Sequence, residues 1–119
     1  MSITTQEENG LSILRITGQL KKSELDAVQA ATAKDFIADP KLKLKLLIIV
    51  EDFKGWEADV DWSDMSFYFE YGEKIAKIAL VADPKRETEL MMFIGSGIRP
   101  APMKFFPPDK IEQAREWLG

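Results

Sequence analysis

The most informative part of the sequence is residues 41–50, which read KLKLKLLIIV. Lysine and leucine alternate over the first six positions, and the last four positions are all apolar. Alternation with a period of two is typical of a strand with one face in water, whereas an unbroken apolar run is typical of a strand buried on both faces. Residues 41–50 therefore predict a strand that begins at an exposed end of a sheet and continues into its centre.

Strands and helices alternate on either side of this segment. Strands are predicted at residues 3–8, 11–17, 75–81 and 103–106, and helices at residues 23–38, 60–71, 85–94 and 108–118. The pair Asn9-Gly10 predicts a tight hairpin between the first two strands, because a type I′ turn needs positive φ at both central residues. The predicted fold class is α/β: a single mixed β-sheet, an N-terminal hairpin plus parallel strands, with helices on both faces.

Several boundaries follow from local residue types. Gly18 is expected to end the second strand, Ser23 to cap the first helix, and residues 51–57 to form a loop. If the third strand lies between the first two, right-handed crossovers place the first helix on one face of the sheet. The second and third helices then lie together on the other face.

The composition limits both the class of protein and the available chemistry. A chain of 119 residues with 45% apolar and 30% charged side chains is expected to form one domain, residues 1–119. Cysteine and histidine are absent, which excludes disulfides, thiol nucleophiles, the usual zinc sites and histidine-dependent catalysis. A net charge of −4 disfavours nucleic acid as a partner. The sequence has no signal-peptide pattern and no apolar run near the ~20 residues that span a bilayer, so a cytoplasmic location is expected.

The second and third predicted helices are apolar on more than one side. The second contains a cluster of aromatic residues and methionine, namely Trp62, Met65, Phe67, Tyr68, Phe69 and Tyr71, and residues 90–94 of the third are all apolar. A helix that covers a sheet needs an apolar stripe only about 100° wide. Two such helices either pack on each other, pack on a second subunit, or line a pocket.

The pocket hypothesis has a defined set of residues. It places a ligand between these two helices and the sheet, in contact with Trp62, Met65, Phe67, Phe69, Met91, Met92 and Phe93. Flexible methionine side chains suit adaptable apolar sites. The expected ligand is a small hydrophobic or lipid-like molecule, bound without catalysis and without a cofactor or metal. A homodimer through an apolar helix face is compatible with the same pattern.

Basic residues close to these helices raise the question of a membrane surface. They are Lys41, Lys43, Lys45, Lys74, Lys77, Lys85 and Arg86. If the helices opened, these cations could meet anionic headgroups and give peripheral contact with the inner face of a membrane. Alternating lysines at a strand end also protect a sheet edge and maintain solubility. Both interpretations stay open.

Acidic residues give weaker functional hypotheses. Asp59, Asp61 and Asp64 lack the glycine and the distal glutamate of a calcium loop, and carboxylates are expected at a helix N-terminus in any case. Asp52 and Asp83 each follow a predicted apolar strand, at the sheet edge where α/β folds place ligands. Such a pair could transfer protons if the two carboxyl groups were close and desolvated. A carboxylate before a proline is equally a routine helix start.

Four short segments carry a family resemblance. They are residues 47–56 with Trp62, residues 77–83, and the ending formed by residues 106–108 and 114–118. On these residues the chain resembles the SpoIIAA-like family, relatives of the STAS domain and of the lipid-binding lobe of CRAL-TRIO proteins. The resemblance implies a cytoplasmic fold of four or five strands with four helices, and binding of small hydrophobic ligands. Anti-sigma-factor antagonists carry a phosphorylatable serine just after the third strand, whereas residues 52–56 read DFKGW and contain none.

Three classes of function therefore stay open. The leading hypothesis is a non-enzymatic binding domain for a small hydrophobic or lipid-like ligand, associated with a membrane surface. The alternative is a STAS-type protein-interaction or regulatory module without the phosphorylatable serine, in which the same helices form a docking face. The third is an enzyme that uses Asp52 and Asp83, and the sequence supports it least.

Overall fold

One mixed sheet organises the part of the chain that the structure describes. This computed structural model describes residues 3–8, 10–62, 71–94 and 101–119. The strands are β1 (Ile3–Glu8), β2 (Leu11–Leu20), β3 (Leu44–Trp56), β4 (Ile75–Val81) and β5 (Met103–Phe106). They lie side by side in the order β1-β2-β3-β4-β5. β1 is antiparallel to β2 and each other neighbouring pair is parallel, which confirms the predicted α/β class with a mixed sheet.

The hairpin between β1 and β2 forms where the sequence predicts it. Glu8 pairs with Leu11 across the turn, and Gly10 has a φ of 84°. A primed turn requires positive φ at this position, and glycine adopts it without steric cost. The residue types at the turn therefore set the register of the whole hairpin.

β2 and β3 both run further than the sequence predicts. Gly18 does not end β2, because its φ of 69° shifts the register against β3 and the strand continues beyond it. The loop predicted for residues 51–57 is also wrong, since β3 continues to Trp56 through Asp52 (φ 49°) and Gly55 (φ 93°). Irregularities of this kind bend a strand and redirect side chains without ending the strand. The chain around Asp52 is consequently part of the sheet.

Three helices lie within the described ranges, each near a predicted position. They are α1 (Lys22–Ala38), α2 (Glu87–Phe93) and α3 (Ile111–Leu118), and short 3₁₀ turns at Pro84–Arg86 and Pro108–Lys110 lead into the last two. The predicted cap is wrong: Ser23 lies inside α1, and the backbone N–H of Lys22 donates to Oε1 of Glu57 at 3.1 Å. An acceptor from the residue after β3 thus satisfies one of the free N–H groups at the start of α1.

Of the second predicted helix, residues 60–71, the structure describes residues 60–62 and Tyr71. Residues 60–62 are not helical, so the helix does not begin at Val60 as predicted. Residues 63–70 lie outside the described residues, and with them most of the aromatic cluster that the sequence singles out. Tyr71 is described, and its ring stacks on that of Phe36 with centroids 5.5 Å apart.

The helices occupy the two faces in a different way from the predicted one. β3 pairs with β2 and β4 and does not lie between β1 and β2. Because the parallel crossovers from β2 to β5 all advance in one direction, right-handed connections put their helices on one face. α1 and α2 accordingly share a core, whereas α3 packs on the opposite face. The condition for separating the first helix from the third, a third strand between the first two, is therefore not met.

The sheet separates two cores that differ in how closely they are covered. The core beneath α1 and α2, named the α1-side core, includes Phe36, Ile48, Leu80 and Leu90, whereas the core beneath α3, the α3-side core, includes Leu47, Ala79, Ala114 and Leu118. Phe36 is the one buried residue among the 17 of α1. In the much shorter α3, Ala114 and Leu118 are 0% and 2% exposed. α3 is therefore seated closely on the sheet and α1 is not.

Candidate functional site

An apolar cavity of about 90 Å³, named the α1 cavity, lies where α1 is poorly seated. Its lining side chains come from α1, from the end of α2 and from alternate positions of β2 and β3, and include Leu25, Val28, Gln29, Thr32, Phe93, Ile94, Ser12, Leu14, Ile16, Leu46, Ile48 and Val50. Alternate residues of a strand point to the same face, so both strands present one row of side chains to the cavity. α1 supplies a wall that the sequence assigns to the second predicted helix.

The α1 cavity is small for a lipid. Ligand pockets usually measure about 300–1,000 Å³, whereas an engineered apolar cavity of about 150 Å³ holds benzene. Among the described lining residues, polar side chains are confined to Ser12, Gln29 and Thr32, and the Thr32 hydroxyl already donates to the carbonyl of Val28 at 2.9 Å. The volume within the described walls therefore suits a small apolar molecule.

The seven residues predicted to bind a ligand are placed differently. Trp62 and Phe93 contact each other with ring centroids 5.6 Å apart, and Phe93 also lines the α1 cavity. Met91 is half-buried against the α1-side core, whereas Met92 is 71% exposed and does not line the cavity. The remaining three lie outside the described residues: Met65, Phe67 and Phe69.

Two aromatic residues that the sequence does not assign to the site extend this contact. The ring of Trp56 lies 5.0 Å from that of Phe53 and 5.3 Å from that of Phe93. The indole N–H of Trp56 is buried and has no hydrogen-bond partner in the described part of the chain. Sequence reasoning misses Phe53 and Trp56 because a predicted loop at residues 51–57 gives them no partners. Their apolar character is the signal that could have indicated a continuing strand.

A second concave surface, named the carboxyl-edge cleft, lies just beyond the last residue pair of β3 and β4, Ile49 and Val81. It measures about 310 Å³ and is lined by Val50, Asp52, Phe53, Lys54, Ala82, Asp83, Lys85 and Arg86. Ligands of open α/β sheets characteristically bind outside the carboxyl ends of the strands. The left-handed φ of Asp52 is uncommon for a residue other than glycine, and such backbone outliers cluster at functional sites. The position of the cleft and the backbone conformation of Asp52 are therefore both typical of a functional site.

Some charged side chains of the carboxyl-edge cleft form hydrogen bonds or ion pairs, and others form none within the described residues. Arg86 donates to Glu89 at 2.8 Å and to the Phe53 carbonyl at 3.3 Å, and its guanidinium lies 5.3 Å from the centre of the Phe53 ring. Within the described ranges, the side chains of Asp52, Lys54 and Lys85 form no hydrogen bond or ion pair. The cleft thus presents both signs of charge at its surface.

Asp83 caps the 3₁₀ turn that begins at this edge of the sheet. Its Oδ1 accepts a hydrogen bond of 3.0 Å from the backbone N–H of Lys85, and Pro84 occupies the first position of the 3₁₀ turn that leads into α2. This is the helix-start role that the sequence offers as the alternative to proton transfer. Asp52 makes no comparable contact among the described residues.

The basic residues that could meet lipid headgroups are dispersed. The Lys77 ammonium donates to the Trp117 carbonyl at 3.0 Å, on the face of the sheet that α3 covers. Lys74 donates to the carbonyl of Pro40. Lys43 and Lys45 line a separate cleft with Gly10 and residues of α3, while Lys85 lies at the carboxyl edge. Within the described residues, these cations are therefore spread over separate parts of the sheet surface.

No helix among the described residues is long and apolar enough to span a membrane. Across residues 3–8, 10–62, 71–94 and 101–119, no group of three or more acidic side chains is arranged to hold a metal ion.

Comparisons with known proteins agree with this architecture. The family model described as SpoIIAA-like matches residues 11–119, and no curated protein matches the chain. A solved protein with a SpoIIAA-like fold from Shewanella loihica PV-4 is similar with a TM-score of 0.74 and 14% identity, over 98% of this chain and 92% of that one. The anti-sigma factor antagonist SpoIIAA in its unphosphorylated form is similar with a TM-score of 0.59 and 10% identity, over 95% and 97% of the two chains. The match over residues 11–119 spans most of the sequence, and the chain belongs to the SpoIIAA-like family.

Proposed function

We propose that this chain is a non-enzymatic regulatory module that binds a partner protein, with residues 1–119 acting as one SpoIIAA-like domain. The proposal draws on the family and on a protein of similar fold whose name, anti-sigma factor antagonist, describes an action on another protein. The partner would dock at the carboxyl-edge cleft. Residues 52–56 contain no serine and lie within β3, and the proposal includes no phosphoserine switch there.

The observation that supports this docking site is that the carboxyl-edge cleft carries exposed side chains of both charges. Asp52, Lys54 and Lys85 are exposed and line the cleft, and they form no ion pair within the described part of the chain. A cleft that carries both signs of charge suits the interleaved charges of a protein surface, since complementary charges determine partner and register. A uniformly anionic partner such as nucleic acid would meet Asp52 and Asp83 unfavourably.

Reversing the two free lysines of the cleft is expected to abolish partner binding. The variant Lys54→Glu/Lys85→Glu should lose a protein that co-purifies with the wild-type chain, because like charges across an interface are strongly unfavourable. The measurement is quantitative mass spectrometry of proteins that co-purify with each tagged chain. Both side chains are exposed, so the variant should keep the circular dichroism spectrum of the wild type.

A matched control is available at the opposite end of the sheet. Lys43→Glu/Lys45→Glu makes the same change in net charge at a cleft near Gly10. It should leave the co-purifying protein unchanged. Equal loss in both variants would mean that net charge matters and the carboxyl-edge cleft does not, and retention in the Lys54/Lys85 variant would contradict the docking site.

The α1 cavity supports a second candidate, binding of a small hydrophobic ligand. Its described walls are apolar apart from Ser12, Gln29 and Thr32. Filling the cavity with Val28→Phe is expected to displace any resident ligand, because an interior packed to native density leaves no space for it. Mass spectrometry of organic extracts should then find a near-stoichiometric small molecule in the wild type and none in the variant. A clean extract from the wild type would contradict this candidate.

A further inference from the structure

The two edges of the sheet are protected to different degrees. β5 has four residues, contains Lys104, and is followed by Pro107 and Pro108. Short length, lysine and flanking proline are the usual means of preventing an edge strand from pairing with another chain. β1 has six residues, ITTQEE, and includes no lysine and no proline. Within the described residues, β1 therefore carries fewer of these three protective features than β5.

The hairpin register shows which backbone groups of β1 face outward. Glu8 and Leu11 close a two-residue loop, so they exchange hydrogen bonds with each other. Hydrogen-bonded and non-hydrogen-bonded positions alternate along an antiparallel pair. The N–H and C=O groups of Ile3, Thr5 and Glu7 consequently point away from β2. These are the groups that another strand would pair with.

Two copies of β1 can pair antiparallel about a two-fold axis at Thr5. This register places outward-facing residues opposite each other, Thr5 against Thr5 and Ile3 against Glu7 of the second copy. Thr4 then lies opposite Gln6. No two like charges face each other in this register, and cross-strand threonine pairs are favourable. The self-complementary pattern is what a two-fold symmetric interface requires.

The helix layer above β1 is compatible with the same axis. An open cleft of about 320 Å³ separates β1 from α1, and its lining includes Thr5, Ala27 and Ala31. Both alanines are exposed, and they lie one helical turn apart. A two-fold axis at Thr5 would make the two α1 helices antiparallel, and because Ala27 and Ala31 line the same cleft as Thr5, these alanines would face the second copy. Small side chains permit the close approach that such a contact needs.

We propose that two copies of this chain form a homodimer through antiparallel pairing of β1, with α1 packed against α1 above the joined sheets. The occupant of the β1 edge is thus a second copy, identified by the self-complementary register and the alanine pair. The carboxyl-edge cleft belongs to β3 and β4, so the dimer presents two such clefts. The association is independent of the function proposed for them.

The test is sedimentation velocity of the full chain over a range of concentrations. The wild type should sediment as a dimer. Thr5→Pro removes an outward N–H that β2 does not use, so the monomer should stay folded while the dissociation constant rises about tenfold or more. Thr5→Val keeps the N–H and should remain dimeric. Circular dichroism checks that each variant is folded.

A second variant covers the case in which Thr5→Pro does not fold. Ala31 is exposed, and Ala31→Glu places new carboxylates across the axis without disturbing the monomer core. It should also sediment as a monomer. A monomeric wild type at every concentration would overturn the proposal. A dimer that persists in both variants, when both are folded, would also overturn it. So would a dimer that persists in Thr5→Pro but dissociates in Met92→Asp, because the contact would then lie at the exposed side of α2.

Discussion

Truncation of Leu47 to alanine is expected to lower the free energy of unfolding by about 2–5 kcal/mol. Leu47 is 0% exposed and lies in the α3-side core, where neighbouring side chains leave little freedom to collapse into the space left behind. The variant loses both the transfer free energy of the deleted carbons and the contacts around the new cavity. Urea denaturation followed by circular dichroism measures the effect through the shift of the midpoint.

The neighbouring Leu46 is a matched control on the opposite face. It is half-buried and lines the α1 cavity, so its truncation removes fewer contacts. Leu46→Ala is expected to cost about 1–2 kcal/mol, since less apolar area returns to water. The difference between the two variants reports how closely α3 and α1 each cover the sheet. Equal costs would contradict the loose seating of α1 and the cavity beneath it.

Phe93→Ala should have the second largest effect, with a loss of about 2–4 kcal/mol in the free energy of unfolding. The Phe93 ring contacts those of Trp56 and Trp62, with centroids 5.3 Å and 5.6 Å away, and lines the α1 cavity. Because two of its partners are tryptophans, the substitution should also change the intrinsic fluorescence of the folded protein. Denaturation and emission spectra together measure both consequences.

Met92 is the control for this variant, one residue earlier in α2. It is 71% exposed, so Met92→Ala is expected to change stability by no more than about 0.5 kcal/mol and to leave the emission spectrum unaltered. A large loss of stability in Met92→Ala would show that the exposed side of α2 is packed in solution. An unchanged spectrum in Phe93→Ala would contradict the aromatic contacts.

The sequence predicts the sheet well where its pattern is long and regular. Residues 47–50 and the largely apolar residues 75–81 correspond to buried parts of β3 and β4, and β1 and β2 pair as the predicted hairpin. Each of these features depends on local residue types that no tertiary contact overrides. The fold class therefore follows from the sequence alone.

The errors occur where pairing or tertiary contact decides the structure. Residues 51–57 contain charged residues and a glycine, which favour a loop, yet pairing with β2 keeps β3 extended to Trp56. Ser23 is a good capping residue by type, but Glu57 supplies the acceptor at the start of α1. The distribution of helices between faces follows from strand order, which local patterns do not encode.

The candidate site is predicted in part. Asp52 and Asp83 are both expected at the carboxyl edge, and both line the cleft there. Lys54 and Arg86 also line this cleft. Lys54 does so because β3 is bulged there, and Arg86 because it contacts Phe53. Neither is visible in the spacing of residues. The cavity beneath α1 is likewise a consequence of how one helix is seated, which residue types alone do not determine.

The most direct test of the proposed function is site-specific photo-cross-linking from the carboxyl-edge cleft. A benzophenone side chain replaces Lys54 or Lys85 in separate chains, and Lys43 in a control chain at the opposite end of the sheet. If a partner docks at this cleft, positions 54 and 85 should both give a light-dependent adduct with one and the same protein, and position 43 should give none. Adducts confined to position 43, or no adduct from either cleft position, would contradict docking at this cleft.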